Sequence, residues 1–316
     1  MSDLLRRSLP LYGLPPDTPL TLLNRSENET WRVGDLILRL HRHGYHTGPE
    51  IASELAWLTA LQGLPGLNAV RPIPGAQGLV TEVDGRFVVA FAPIAGQELQ
   101  PGDDLARWFA PLGEITARLH LQARQWARPQ GFTRKRWDVQ TILGPNPHWG
   151  HWRRAQGLEP EGEALLARAT EALATKLDAY GTGPETFGLI HADLRLANLM
   201  VDGDTLTAID FDDCGFGWWA YDLASALSFI ETDPRLPDLI ALWCEGYARI
   251  APLRPEDRAM IPSLIFLRRV LLTAWLATRA DSDTAQALGG PDYTDGTLTL
   301  AERFLADGLA AFHPQV

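Results

Sequence analysis

Short apolar runs separated by polar turns characterise the N-terminal part of the chain and predict β-strands. Two pairs of such runs each surround a turn that contains Gly and Asp: Thr30–Val33 with Leu36–Leu40, and Leu79–Val83 with Phe87–Phe91. Apolar runs around turns of this kind are typical of β-hairpins. Between the two hairpins, Pro49–Leu61 has apolar residues close to the helical period. This order predicts an antiparallel sheet with one helix packed on it.

A helical spacing of apolar residues dominates the remainder of the chain. Leu105–Leu119 has a clear apolar stripe, and Asp103 or Asp104 precedes it as a candidate N-cap. Further helices are predicted at Glu161–Tyr180, Tyr221–Ile230, Leu236–Ile250, Pro255–Arg279 and Thr297–Ala311. Short strands are predicted at Leu189–His191, Leu199–Val201 and Leu206–Ile209, and an irregular surface segment at Trp126–Trp152. The second part is therefore predicted to be mainly helical, with one β patch.

A short Pro/Gly break after Phe91 separates these two patterns. We place a small β-rich lobe at residues 1–92, a hinge at 93–96 and a larger helical lobe at 97–316. The predicted fold class is therefore α+β with two lobes.

Composition and charge narrow the functional classes. The 316 residues include 28 Lys plus Arg and 39 Asp plus Glu, a net charge of −11 that disfavours a nucleic-acid partner. Cys214 and Cys244, the only cysteines, cannot form a disulfide framework and suggest a reducing compartment. The most apolar late stretch, Ile261–Ala277, has Arg268 and Arg269 in its middle, so we expect a buried helix. A cytoplasmic protein without a membrane partner is predicted.

The densest group of chemically competent side chains lies between residues 191 and 213. His191, Asp193 and Asn198 are followed by an apolar run that ends in Asp210–Phe211–Asp212–Asp213. Two carboxylates and one amide suit a divalent metal ion with a preference for oxygen ligands when phosphate groups supply the other ligands. Mg²⁺ keeps its waters and takes few carboxylates, so a nucleotide–Mg²⁺ site fits this number of ligands better than a calcium site.

The spacing H-x-D-x-x-x-x-N, followed by a turn and a strand ending in D-F-D, resembles the catalytic core of the aminoglycoside phosphotransferase and choline kinase-like families. His191–Leu194 and Tyr221–Ala224 are also similar to type II homoserine kinase, and Leu22–Trp31 is similar to the nucleotide loop of bacterial stress response kinase A. The resemblance extends from Leu22 to about Leu305. It implies the bilobal protein kinase-like fold, with a nucleotide-binding N-terminal lobe and a catalytic, acceptor-binding C-terminal lobe. It further implies transfer of the γ-phosphate of ATP to a hydroxyl group, with Mg²⁺.

The resemblance also assigns roles in catalysis and metal binding. Asp193 would accept or orient the proton of the acceptor hydroxyl. Asn198 and Asp210 would hold Mg²⁺ against the phosphate oxygens. Arg195 stands where antibiotic kinases often have histidine, and it would neutralise the transferring phosphoryl group.

Nucleotide binding and support of the loop are assigned in the same way. Arg39, fixed by Glu54, would bind the α- and β-phosphates, although lysine is commoner at this position. The further residues implied to contact the nucleotide are Asn28, Phe91, Ala92 and Ile94. His191 and Asp222 would support the catalytic loop. The nucleotide loop, with Asn24, Ser26 and Asn28, lacks the usual glycines.

Several alternatives stay open at this stage. The first choice of acceptor is a small alcohol, an amino alcohol or hydroxy amino acid, and the second is a protein Ser/Thr. A haloacid dehalogenase-type phosphatase with Asp210 as its nucleophile would need this loop near the chain start. A pseudokinase would be expected to lose one of Asp193, Asn198 and Asp210. His41, His43 and His46 match no standard zinc spacing, and we expect them in a solvated loop. Asp212 and Asp213 are candidates either for second metal ligands or for solvated or capping acids at the next helix.

Overall fold

Two structural units, each built from several stretches of chain, make up the structure, a computed structural model that describes residues 2–25 and 28–314. The first unit consists of Met1–Gln97, Ala127–Arg134 and Met200–Asp212. The second consists of Glu98–Trp126, Lys135–Leu199 and Asp213–Val316. Two late segments thus belong with the N-terminal residues, an arrangement that chain order alone does not indicate. The lobe limits of 1–92, 93–96 and 97–316 stay a prediction.

An antiparallel sheet forms the centre of the first unit. Its strands are β1 (Leu20–Arg25), β2 (Glu29–Val33), β3 (Leu36–Leu40), β4 (Pro72–Ile73), β5 (Thr81–Val83) and β6 (Arg86–Phe91), in the order β1-β2-β3-β6-β4 with β5 also paired to β6. Both predicted hairpins are present. The strand β1, by contrast, occupies part of the segment that we interpreted as a nucleotide loop. As an edge strand with almost every side chain exposed, it has no alternation of apolar and polar residues that would predict it.

The described residues of the first unit include two α-helices. Helix α1 (Ser2–Ser8), which the sequence pattern did not predict, buries Leu5 against sheet residues such as Val33 and Val88. Helix α2 (Gly48–Leu61) confirms the predicted helix, and Thr47 caps its start. The Thr47 side chain accepts a hydrogen bond from the Glu50 N–H, and the Glu50 carboxylate accepts one from the Thr47 N–H.

Three further strands follow or precede the catalytic motifs along the chain. They are β7 (Gln97–Glu98), β9 (Leu199–Asp202) and β10 (Thr205–Ala208), in the order β10-β9-β7. Gly96, just before β7, has a φ of 104°, and a Cβ there would lie 2.1 Å from the Val201 carbonyl oxygen. Glycine is therefore required at this position for both conformation and space.

The second unit is mainly helical, as predicted. Its helices are α3 (Leu105–Gln125), α4 (Val139–Ile142), α5 (Pro160–Tyr180), α6 (Tyr221–Ala226), α7 (Leu236–Ile250), α8 (Pro255–Thr278), α9 (Asp283–Leu288) and α10 (Pro291–Asp307), and its two-stranded sheet pairs β8 (Phe187–Ile190) with β11 (Gly215–Trp218). The prediction of one helix over Tyr221–Ile230 is wrong, since Phe229 adopts a left-handed φ of 69° that a helix cannot contain. The α+β fold class is confirmed.

Helices α3 and α7 approach each other through two glycines. A Cβ on Gly113 would lie 2.1 Å from the Trp243 carbonyl oxygen, and a Cβ on Gly246 would lie 1.9 Å from the Ala110 carbonyl oxygen. Only glycine allows backbones to come this close.

Helix α8 is long and apolar enough, by length and composition, to cross a membrane. However, 89% of the most apolar 18-residue window of this helix is buried inside the protein. Arg268 and Arg269 are buried with it, at 1% and 4% exposure. The expectation of a buried helix over Ile261–Ala277 is therefore confirmed.

Candidate active site

A buried ion pair in the first unit joins strand β3 to helix α2. Arg39 Nη2 donates to both carboxylate oxygens of Glu54, at 2.6 and 2.7 Å, and both side chains are almost fully buried. The guanidinium also lies over the Phe91 ring, 5.1 Å from its centroid. Burial alone would lower the pKa of Arg39, but the carboxylates of Glu54, Asp212 and Asp210 raise it above its ordinary value. Arg39 is therefore a permanent cation in a fixed position.

Asp210 presents a carboxylate beside this cation. It follows β10 and adopts a left-handed φ of 58°, a conformation that Asp tolerates better than most residues. Its Oδ1 accepts a hydrogen bond from Arg39 Nη1 at 3.3 Å, while 38% of the side chain is exposed. The strained backbone thus places a solvent-accessible carboxylate at the cation.

Asp212, two residues later, is buried within the first unit. Its Oδ2 accepts a hydrogen bond from Asn28 Nδ2 at 2.8 Å and lies 3.4 Å from His46 Nε2. Burial alone would raise the pKa of Asp212, but Arg39 and then His46 lower it well below its usual range. Asn28 also accepts the Arg42 N–H at 3.0 Å through its side-chain oxygen, so its amide positions Asp212 and the start of the following loop.

The expectation of solvated histidines is wrong for two of the three. His41 and His46 are 1% and 4% exposed, and only His43 lies at the surface. Both buried rings lie near the Asp212 carboxylate, and His41 Nδ1 is 3.7 Å from Asp212 Oδ1. Burial, together with the nearby Arg39, lowers the pKa of His41 well below its ordinary value. The sequence spacing gave no indication of this because the carboxylate beside the histidines is remote in the chain.

Asp193 and Asn198 meet in the second unit. Asn198, at the end of a 3₁₀ turn over Leu196–Asn198, donates from Nδ2 to the carbonyl oxygen and to Oδ2 of Asp193, both at 2.8 Å. Arg195 Nε lies 3.5 Å from the same Oδ2. Since the amide nitrogen of Asn198 is committed to Asp193, its amide oxygen is the atom suited to a metal ion.

The loop before Asp193 is held by Asp222 on helix α6. The Asp222 carboxylate accepts the N–H groups of His191, at 3.1 Å, and Ala192, at 2.7 Å, and its Oδ2 is 3.0 Å from His120 Nε2. Ala192 has a left-handed φ of 68°, which costs an L-residue about 1–2 kcal/mol. His191 Nδ1 accepts the Asp193 N–H at 3.3 Å. These bonds hold a conformation that the loop would not adopt by itself.

One residue in contact with Asp193 was not predicted. Arg268 on helix α8 donates from Nη2 to Asp193 Oδ1 and from Nη1 to the Ala192 carbonyl oxygen at 3.4 Å. Burial alone would raise the pKa of Asp193, but Arg268, followed by Arg195, lowers it below the usual value. The sequence signal was present, since a charged residue inside an apolar helix needs a buried partner, but the partner was not identifiable.

The structure thus brings the predicted residues together within two groups. The first contains Arg39, Glu54, Phe91, Asn28 and Asp210, and the second contains Asp193, Arg195, Asn198, His191 and Asp222. Ala92 and Ile94 follow β6 and are partly exposed, and the Ala92 N–H donates to the Arg71 carbonyl oxygen at 2.9 Å. Ser26 and Glu27 of the interpreted nucleotide loop lie outside the described residues.

Comparison with known proteins places this arrangement in context. The model of the phosphotransferase enzyme family (APH) matches residues 20–253. The solved structure of a microcompartment-associated aminopropanol kinase is 42% identical, with a TM-score of 0.88, and the match covers 97% of this chain and 98% of that one. Amicoumacin kinase of Bacillus subtilis (strain 168) is 24% identical over 247 residues, which is 73% of this chain and 70% of that protein.

A more distant solved structure shows the same fold. Amicoumacin kinase hAmiN, in complex with AMP-PNP, Ca²⁺ and Ami, has a TM-score of 0.76 at 19% identity, and the match covers 99% of this chain and 94% of that one. Together these matches confirm the predicted kinase-like fold and the family resemblance.

Proposed function

The chain belongs to the phosphotransferase enzyme family, and from this premise we propose that it transfers the γ-phosphate of ATP to the hydroxyl group of an amino alcohol. The predicted enzyme class, a kinase acting on small-molecule hydroxyl groups, is confirmed by the family match and by its relatives. The identity of the acceptor molecule is the remaining part of the proposal.

One observation carries the choice of an amino alcohol. The aminopropanol kinase is 42% identical to this chain in a match that covers 97% of this chain, and aminopropanol combines an amine and a hydroxyl group. Amino alcohols were one of the two acceptor classes that the sequence prediction put first, together with hydroxy amino acids. The two relatives described above, aminopropanol kinase and amicoumacin kinase, are likewise named for small-molecule acceptors.

Asp193 supplies the acceptor side of the proposed reaction. Its carboxylate is ionised at neutral pH because the neighbouring cations lower its pKa, so it can accept a hydrogen bond from the attacking hydroxyl. Phosphoryl transfer passes through a loose transition state in which little proton transfer is needed early. Orientation of the hydroxyl oxygen is therefore the main task of Asp193, and the proton is accepted late.

Arg39 and Asp210 of the first unit are assigned to the phosphate side of the reaction. Arg39, held by Glu54, presents a planar guanidinium that suits phosphate oxygens. The Asp210 carboxylate is a hard oxygen donor of the kind that Mg²⁺ prefers, and in the second unit the Asn198 amide oxygen is another; each would serve as a ligand of the ion. When bound, Mg²⁺ neutralises charge that develops on the phosphate oxygens. The complex of hAmiN with AMP-PNP and Ca²⁺ supports the choice of an adenine nucleotide and a divalent ion.

A cytoplasmic location is part of the same proposal. Cys214 and Cys244 are both buried and form no disulfide in the described part of the chain, which agrees with a reducing compartment. ATP is also the substrate that this compartment supplies.

The decisive experiment measures ATP-dependent formation of a phosphoester. Aminopropanol, ethanolamine, a hydroxy amino acid, an aminoglycoside and an unfolded protein are offered with Mg²⁺-ATP, and the product is identified by phosphorus NMR and mass spectrometry. We expect the highest kcat/KM with an amino alcohol, and no product from the matched alkylamine that lacks the hydroxyl group.

Two variants test the residues that carry the proposal. Asp193→Asn is expected to lower kcat strongly while the affinity for nucleotide is kept, and Asp210→Asn is expected to remove activity through lost metal binding. Phosphorylation of the unfolded protein alone would replace the small-molecule acceptor by a protein. Release of phosphate from phosphoesters without ATP would indicate a phosphatase, and a parent-like rate in Asp193→Asn would end the assignment of that residue.

A further inference from the structure

Two consecutive arginines in the middle of helix α8 are buried side by side but serve different parts of the second unit. Arg268 contacts the loop of Asp193, whereas Arg269 pairs with Glu231. We propose that Arg268 is a positioning residue for the reaction, which holds the Asp193 carboxylate in the orientation that receives the acceptor hydroxyl. This inference rests on the proposed function, because it takes Asp193 as the residue that orients the acceptor.

The Asp193 carboxylate is bound at both oxygens. Arg268 Nη2 donates to Oδ1, and Asn198 Nδ2 donates to Oδ2 at 2.8 Å. A carboxylate with donors at both oxygens cannot rotate about its Cβ–Cγ bond without breaking one of them. The Asn198 contact is local, five residues along the chain, so Arg268 provides the contact that connects the carboxylate to a distant and rigid helix.

Arg268 is itself held in place at each of its nitrogens. Nε donates to Ser228 Oγ at 2.9 Å, and Nη1 donates to the Ala192 carbonyl oxygen at 3.4 Å. The guanidinium also lies over the Trp149 ring, 5.2 Å from its centroid. A planar group held in this way has one orientation, so its hydrogen bond to Asp193 fixes the position of the carboxylate.

The contact with Ala192 adds a second effect on the same loop. Ala192 has a left-handed backbone, and its N–H is held by Asp222 while its carbonyl oxygen is held by Arg268. Both backbone polar groups of Ala192 are therefore held by side chains from helices outside the loop. Loss of Arg268 would release the carbonyl side and allow Asp193 to shift.

Arg269 provides a matched control. It is also buried, and its guanidinium donates to Glu231 Oε2 at 2.9 Å, to Thr297 Oγ1 at 2.8 Å and to the Tyr293 carbonyl oxygen at 2.8 Å. Thr297 and Tyr293 lie on helix α10, and none of these partners contacts Asp193 among the described hydrogen bonds. A substitution at Arg269 also removes a buried cation from helix α8, but it breaks none of the described hydrogen bonds to the loop of Asp193.

The experiment compares Arg268→Met, Arg268→Lys and Arg269→Met in the full-length enzyme. Arg268→Met is expected to lower kcat by about 10²-fold, with little change in the KM for ATP. Arg268→Lys should restore part of kcat, because an ammonium can still reach one oxygen of Asp193. Arg269→Met should lower the melting temperature at least as much as Arg268→Met and change kcat by less than about threefold.

A double-mutant cycle separates positioning from general destabilisation. In the Asp193→Asn background, measured in single turnovers, Arg268→Met should have almost no further effect on rate, because the group it positions is already lost. If Arg268→Met does not fold, Ser228→Ala removes only the anchor at Nε and should lower kcat by about threefold to tenfold.

Two results would overturn the inference. One is a kcat in the folded Arg268 variants, or in Ser228→Ala, that matches Arg269→Met. The other is an equal loss from Arg268→Met in the parent and Asp193→Asn backgrounds. The proposed function fails on different results: no phosphoester from any alcohol, or a parent rate in Asp193→Asn.

Discussion

His120 on helix α3 and Asp222 on helix α6 contact each other in the interior of the second unit, with His120 Nε2 3.0 Å from Asp222 Oδ2. The other ring nitrogen of His120 lies 3.0 Å from the Tyr247 hydroxyl on helix α7. Asp222 at the same time accepts the N–H groups of His191 and Ala192. One buried carboxylate therefore links three helices to the loop that carries Asp193.

This linkage predicts the outcome of Asp222→Asn. An amide presents an NH₂ group where a carboxylate oxygen now accepts an N–H, so one buried donor loses its partner, at about 1–3 kcal/mol. We expect a lower free energy of unfolding, measured with urea, together with a reduced kcat. Asp178→Asn, at an exposed position of helix α5, is the matched control and should change neither. A parent-like kcat in Asp222→Asn would show that the loop keeps its form without this carboxylate.

The hydrogen bonds of the Arg39 guanidinium predict that Arg39→Lys weakens the binding of ATP. One ammonium cannot reproduce the two bonds to Glu54 from Nη2 and the bond to Asp210 from Nη1. The KM for ATP should therefore rise by about tenfold, with a smaller change in the KM for the acceptor. Arg39→Met should be more severe, since it leaves Glu54 buried without its cation, at about 3–5 kcal/mol. Unchanged steady-state constants in Arg39→Lys would contradict a role of the guanidinium at the phosphates.

The close approach of α3 and α7 predicts a steric penalty for Gly113→Ala. The new Cβ would lie 2.1 Å from the Trp243 carbonyl oxygen, so the helices must separate, and overpacking of this kind costs about 1–3 kcal/mol. Urea unfolding measures the loss. Gly102→Ala is the control, because a Cβ at that glycine meets nothing within 4 Å. Equal stability of the two variants would mean that the helix pair adjusts without cost.

Burial of Cys244 predicts low thiol reactivity and a pH effect. Burial raises the pKa of Cys244 from 9.0 to about 12, so the native thiol stays protonated at mildly alkaline pH and should resist iodoacetamide until the protein unfolds in urea. Between pH 9 and about 12 the unfolded state releases this proton and the native state does not, so this group makes stability fall as pH rises. Rapid labelling of native Cys244, followed by mass spectrometry, would contradict the buried, protonated thiol.

Local sequence patterns predicted the elements whose contacts are close in the chain. The helix over Pro49–Leu61 and both hairpins are present, because apolar spacing and short turns act within a few residues. The spacing between Asp193 and Asn198 belongs to the same class: a single 3₁₀ turn brings the amide to the carboxylate. Strand β1 and the break at Phe229 escaped prediction, because an exposed edge strand and one left-handed residue have no periodic signal.

The sequence by itself determined the α+β class, the family and the identity of the polar residues, because these depend on composition, on local spacing and on motifs a few residues long. Only the tertiary structure decided which charge faces which. Arg268 reaches Asp193 across 75 positions of the chain, and Asn28 reaches Asp212 across 184. A charged residue within an apolar segment of the sequence indicates that a buried charge needs a partner. The choice of that partner depends on how helices and strands pack, and packing is a property of the whole fold.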